Sequence, residues 1–172
     1  MIPATTPSDL LSVAEALADR GANGFLLSGG SDNAGRIRIA DFVGAIKEIK
    51  ATTDLKINAH VGLASSNELR SMVDSGIDSF SVDVYGSDET IKEVLGLGAS
   101  VEDYLKAVSD LKGFGARVAP HICVGIHGGA ARGEIPAIEL LKRYEPETLV
   151  LISLIPTRGT PYQSVSPPSH EL

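Results

Sequence analysis

Polar and apolar residues alternate with period two in three short segments of the chain. In residues 56–61, Asn58 and His60 share one parity while Ile57, Ala59 and Val61 share the other. In residues 79–85 the polar set is Ser79, Ser81, Asp83 and Tyr85, and in residues 118–124 it is His121 and Cys123. Successive side chains of a strand point to opposite faces, so each segment presents one apolar surface and one bearing ligand-grade groups. The stretches between them repeat at helical spacing instead, as in Leu10, Val13, Ala14 and Leu17, and in Phe42, Val43, Ile46 and Ile49. Helix starts are expected near Ser8, which follows Pro7, and at two capping boxes, Ser65 with Glu68 and Ser100 with Asp103. Of these boxes the first is the stronger, because Glu reaches back further than Asp. Turns containing Gly21, Gly76, Gly113 and Gly115 close helices and lead directly into strands, as glycine past a helix end does.

These signals predict helix and strand in strict alternation, with strands near 24–28, 55–61, 78–85, 117–126 and 148–155. Alternation of this kind implies right-handed crossovers and a parallel sheet. A flat parallel sheet covered on both faces is apolar at both parities, and three of these strands are not. The expected fold is therefore α/β, an incomplete (partial) TIM-like (β/α) barrel of about five parallel strands, with helices outside and the polar face lining an interior cavity. A closed eight-stranded barrel needs about 250 residues, more than the 172 present. Residues 1–165 are read as the barrel and 166–172 as a C-terminal tail. The first element is a helix with no strand before it, and the final residues read as a linker and helix N-cap followed by nothing. The expectation is a fragment, or one half of a split protein.

Composition narrows the partners. A net charge of −7 argues against nucleic acid or an anionic membrane. The single Cys123 excludes an internal disulfide and suits a reducing compartment. No apolar run approaches the roughly 18 residues of a spanning helix, and the N-terminal residues form no signal peptide. A cytoplasmic protein acting on a small molecule is expected.

Chemistry in parallel α/β proteins collects at the carboxyl ends of strands. Here those ends carry Ser-Gly-Gly-Ser-Asp at 28–32, His-Val-Gly at 60–62, Asp-Val-Tyr-Gly at 83–86, Gly-Ile-His-Gly-Gly at 125–129 and Ile-Pro-Thr-Arg-Gly-Thr-Pro at 155–161. The first resembles the Gly-Gly-Glu-type motif of radical S-adenosylmethionine enzymes, and Arg-Gly-Thr-Pro at 158–161 resembles the last barrel strand of their biotin-synthase-like members. The stretch from about Ser8 to Pro161 is similar to the part of that barrel following its first strand.

That resemblance implies S-adenosylmethionine as cofactor. Ser28, Gly29 and Gly30 would offer backbone groups to its methionyl part, and Asp83, with Tyr85, would contact the ribose. Gly125, Ile126 and Gly128 lie in a segment that would let the backbone approach the adenosine, with Ile155 and Pro156 near the adenine. Asn58, His60, Ser81, His121, Cys123 and His127 would form the substrate wall. Ser31 stands where the family places its acidic residue, which is shifted to Asp32, and Glu134 sits late for the fourth-strand motif. Family members hold a [4Fe–4S] cluster with three closely spaced cysteines after the first strand, and such clusters require thiolates. With Cys123 alone, the expectation is that this chain cannot generate a radical by itself. The cluster would have to come from a missing N-terminal segment or a partner subunit at the open barrel edge, where a homo-oligomer could also form.

Each signal also has a purely structural reading. Gly-Gly makes turns without chemistry, an interior histidine is commonly just hydrogen-bonded, cysteine packs as a small hydrophobe, and Asp83 could cap the helix after Gly86. Two further functions stay open. His60, Asp83, His121 and His127 could ligate Zn²⁺ or Fe²⁺ in a small metal-dependent lyase or hydrolase. A non-catalytic interaction module could reuse the fold.

Overall fold

The computed structural model describes residues 2–169. The helix starts follow from local capping. Helix α1 (Pro7–Asp19) opens with Thr6, whose hydroxyl accepts the Asp9 amide while the Asp9 carboxylate accepts the Thr6 amide. The cap is thus Thr6 rather than Ser8, with Pro7 in the first turn where its missing N–H costs nothing. Both expected capping boxes form, Ser65 with Glu68 at α3 (Ser66–Val73) and Ser100 with Asp103 at α5 (Val101–Gly113). Gly21, Gly76 and Gly115 take positive φ just past helix ends, the conformation for which glycine is suited.

The strands are β1 (Gly24–Leu27), β2 (Lys56–Val61), β3 (Ser79–Asp83), β4 (Val118–Val124) and β5 (Val150–Ser153). Each is one to four residues shorter than its sequence pattern suggests, because the pattern runs on into the flanking loops at either end. All pair in parallel, in the order β1-β2-β3-β4-β5, and curl into half a barrel. The remaining helices are α2 (Val43–Thr52), α4 (Asp88–Glu93) and α6 (Glu134–Leu141). Two helices, α4 and α5, connect β3 to β4 where strict alternation predicts one. Ser87 caps α4 through the Thr90 amide, so Asp83 has no capping role.

The parity reading holds. Ile57, Ala59, Val61, Phe80, Val82, Val84, Val118 and Ile122 are buried and share one core with Ile46, Ile49, Leu69, Leu105 and Leu111 from the helices. The opposite, concave face carries the polar set, and it is open rather than an enclosed cavity, since the Asp83 side chain is 41% exposed. On the outer edges of the sheet Leu26 of β1 and Leu151 and Ile152 of β5 are exposed. The C-terminal tail begins by packing back on the body, with Ser166 against Gly129 and Pro168 against Gly125. His170, Glu171 and Leu172 of that tail lie outside the described residues. Among the described residues no helix is long and apolar enough to cross a membrane.

Candidate functional site

Strand register sets the concave face. Leu26 pairs with Asn58, His60 with Ser81, and Asp83 with His121. Paired residues share a face, so Asn58, His60, Ser81, Asp83, His121 and Cys123 form one surface, as their parity predicts. At its floor the Asn58 amide donates to the Ser81 hydroxyl at 3.0 Å, which satisfies the fully buried serine.

Above this pair lies a histidine–carboxylate cluster. His60 Nε2 is 3.3 Å from Asp83 Oδ1. The His60 and His121 rings are 5.5 Å apart between centroids, inclined at 33°. One ligand atom from each of His60, Asp83 and His121 lies within 4.8 Å of the others. On the opposite side His60 Nδ1 is 3.5 Å from the Ser28 hydroxyl, which joins the turn after β1 to the cluster. Asp83 raises the pKa of His60 against the effect of its partial burial. Burial lowers that of His121; Asp83 opposes the shift and His60 adds to it.

Ser28, Gly29 and Gly30 are exposed, and no heavy atom stands within 4 Å of a Cβ placed on Gly30. Their backbone is accessible at the rim. Asp32 is spent on its own loop, accepting the Ala34 amide at 2.8 Å and the Arg36 amide at 3.0 Å. Tyr85 packs edge-on against Tyr104 with ring centroids 4.9 Å apart, and burial, then the nearby Asp83, keeps its phenol protonated. Burial raises the Cys123 thiol pKa, reinforced by Asp83 and Glu134, so it is no ready thiolate.

Other expected residues lie apart from this cluster. His127 Nδ1 meets the Thr90 hydroxyl at 3.0 Å, while Nε2 sits 3.6 Å from Glu93 and 3.5 Å from Arg132. It belongs to a network over α4, not with His60 and His121. Around residues 125–129 the close approach is made by the chain's own Ser166 and Pro168. Ile155 is 78% exposed beyond β5. Glu134 does reach the strand end despite its late position. It is buried, its Oε1 accepts the Gly125 amide at 2.8 Å, and its Oε2 has no hydrogen-bond partner among the described residues. The intervening residues loop out and return, so linear spacing hid the contact. A cleft of about 670 Å³ lies elsewhere, between Asn33 and the starts of α3 and α5. The polar strip is the better candidate, because convergent imidazole and carboxylate groups carry chemistry that volume alone does not.

The chain as a whole resembles known proteins. Biotin synthase of Thermotoga petrophila is 29% identical over 122 residues, covering 69% of this chain and 39% of that protein. Biotin synthase of Thermotoga neapolitana is 26% identical over 119 residues, covering 69% and 42%. The chain therefore spans about two fifths of the length of these curated relatives. Among solved structures, methylornithine synthase (PylB) superposes with a TM-score of 0.75 at 19% identity, over 95% of this chain and 48% of that one. The [FeFe]-hydrogenase maturase HydG does so with a TM-score of 0.69 at 14% identity, over 95% and 39%. These structural likenesses show the fold. The family model of the Radical SAM superfamily matches residues 2–132, about three quarters of the sequence, and the chain belongs to that superfamily.

Proposed function

We propose that this chain supplies the S-adenosylmethionine- and substrate-binding wall of a radical S-adenosylmethionine barrel. The observation that supports this most is the convergence of Ser28, His60 and Asp83 at one rim, with spacings of 3.5 Å and 3.3 Å between successive side chains. The accessible backbone of Ser28, Gly29 and Gly30 suits the ammonium and carboxylate of the methionyl group, which need acceptors and donors respectively. Asp83, with Tyr85 behind it, is placed to accept the ribose hydroxyls. Gly125, Ile126 and Gly128 border the adenosine side, with Ile155 at its margin. The wall of Asn58, His60, His121 and Cys123, with Ser81 buried beneath Asn58 and fixing its amide, holds a small polar substrate. When bound, S-adenosylmethionine supplies the family's radical chemistry, and the residues of this chain bind and orient it.

A [4Fe–4S] cluster does not fit the residues present. Such clusters take several cysteine thiolates, the chain has one cysteine, and burial near the end of β4 raises the pKa of that thiol. We assign the cluster to another segment or a partner subunit, docked along the free edge of β1 where Leu26 is exposed. The same edge suits a second copy of the chain.

Calorimetric titration with S-adenosylmethionine tests the reading. Saturable binding at 1:1, weakened about tenfold or more in Asp83→Asn, is expected, since a charged hydrogen bond contributes about 1.5–3 kcal/mol. Absence of saturable binding by the wild-type chain would reject it.

A further inference from the structure

We propose that His60, Asp83 and His121 bind one divalent transition-metal ion, open toward the concave face of the sheet. This goes beyond the cofactor reading and needs neither S-adenosylmethionine nor a cluster. The three residues come from three adjacent strands, β2, β3 and β4, within one two-residue step of each other along the sheet. Asp83 and His121 are directly paired in register, and His60 is paired with Ser81, two residues before Asp83. Rigid neighbouring strands are the kind of scaffold that fixes a ligand set.

The geometry is close to what an ion requires. With bonds of about 2.0–2.2 Å, ligand atoms around a tetrahedral ion stand about 3.4 Å apart. The His60 Nε2 to Asp83 Oδ1 spacing is already 3.3 Å, and the third atom lies within the 4.8 Å limit of the group. Binding would require His121 to move closer to the other two ligand atoms. Two imidazoles and one carboxylate on one side, with free positions opposite, suit Fe²⁺, Co²⁺ or Zn²⁺ rather than Mg²⁺ or Ca²⁺.

Two further observations separate this cluster from an ordinary histidine–aspartate pair. Among the described residues His60 Nε2 is buried and meets only Asp83 Oδ1, at 3.3 Å and outside good hydrogen-bond geometry, so an ion seated between the two would satisfy both. Its other nitrogen, Nδ1, is 3.5 Å from the Ser28 hydroxyl. Metal-ligating histidines are held in this way through the nitrogen that does not bind the ion. His121 then adds a second imidazole, and among the described residues neither of its nitrogens takes part in a hydrogen bond. The ion's open positions would face the space shared with Asn58 and Cys123, where an oxygen or nitrogen donor of a small molecule could complete the shell.

Metal-stripped chain titrated with Co²⁺, followed by visible absorption and by Zn²⁺ displacement, tests the site. One equivalent should bind, with ligand-field bands abolished by excess Zn²⁺. His60→Asn and His121→Asn should each weaken binding at least tenfold, while His127→Asn should not. Failure of wild type to saturate, or affinity unchanged in both His60→Asn and His121→Asn, would overturn the proposal. Should either variant fail to fold by circular dichroism, X-ray absorption on the Zn²⁺-loaded wild type decides. Two imidazoles and a carboxylate oxygen support the site, and one imidazole or none rejects it. Because S-adenosylmethionine is absent throughout, this result stands or falls separately from the cofactor titration.

Discussion

Asp78 shows how much a single carboxylate does outside the candidate site. Its Oδ2 accepts from the Lys50 ammonium and the Ile57 amide, both at 2.8 Å, and its Oδ1 lies 3.3 Å from Lys56. One residue thus joins α2, β2 and the entry to β3. Burial pushes its pKa upward, but Lys50, the Ile57 amide and Lys56 outweigh that and hold it below the ordinary value of 3.8. A depressed folded pKa stabilises the fold above the unfolded pKa, and the contribution disappears as pH falls through the folded value. Asp78→Asn should therefore cost about 1.5–3 kcal/mol at neutral pH. In urea titrations at several pH values, that gap should be full at pH 6–7 and shrink below about pH 4. A pH-independent gap would mean the carboxylate acts by shape alone. Nothing in the sequence marks Asp78, since its partners are 21 and 28 residues away. Asp83, by contrast, is marked by its strand parity.

At the scale of elements, the loops at the carboxyl rim are locked by close backbone approaches. A Cβ on Gly86 would fall on the Gly133 carbonyl and crowd the Ala137 amide at 2.5 Å. This is where the turn after β3 meets the start of α6. Gly86→Ala should cost about 1–3 kcal/mol by forcing the two segments apart, read as a lower midpoint in chemical denaturation. It should also disturb Glu134, whose tie to Gly125 begins the same helix. Helix starts were legible in the sequence because a capping box is complete within four residues. The return of Glu134 to the end of β4 was not, because it is set by contacts between distant loops.

At the scale of the whole molecule, the fold is a helix-backed sheet whose chemical face is open. Helices bury the convex face, while Asp83 and the edge residues Leu26, Leu151 and Ile152 remain exposed. A ligand seated on the concave face adds its binding free energy to a cooperative domain. At 100 times its Kd, S-adenosylmethionine should add about 2.7 kcal/mol and raise the melting temperature by about 5–10 °C. Differential scanning fluorimetry checks this, and an unchanged melting temperature in saturating ligand would contradict binding to the folded chain. Local sequence determined the elements, their parity and hence the half-barrel, because period-two alternation, capping boxes and glycine turns depend on neighbours within a few residues. It also identified His60, Asp83 and His121 as candidates from the face they share. Only the tertiary structure decided which of them meet. Register brought those three together, placed His127 over α4 instead, and folded Ser166 and Pro168 onto the glycines at 125 and 129. The reason is physical: strand pairing and loop packing are set by contacts between residues far apart in the chain, and those distances leave no periodic trace in the sequence.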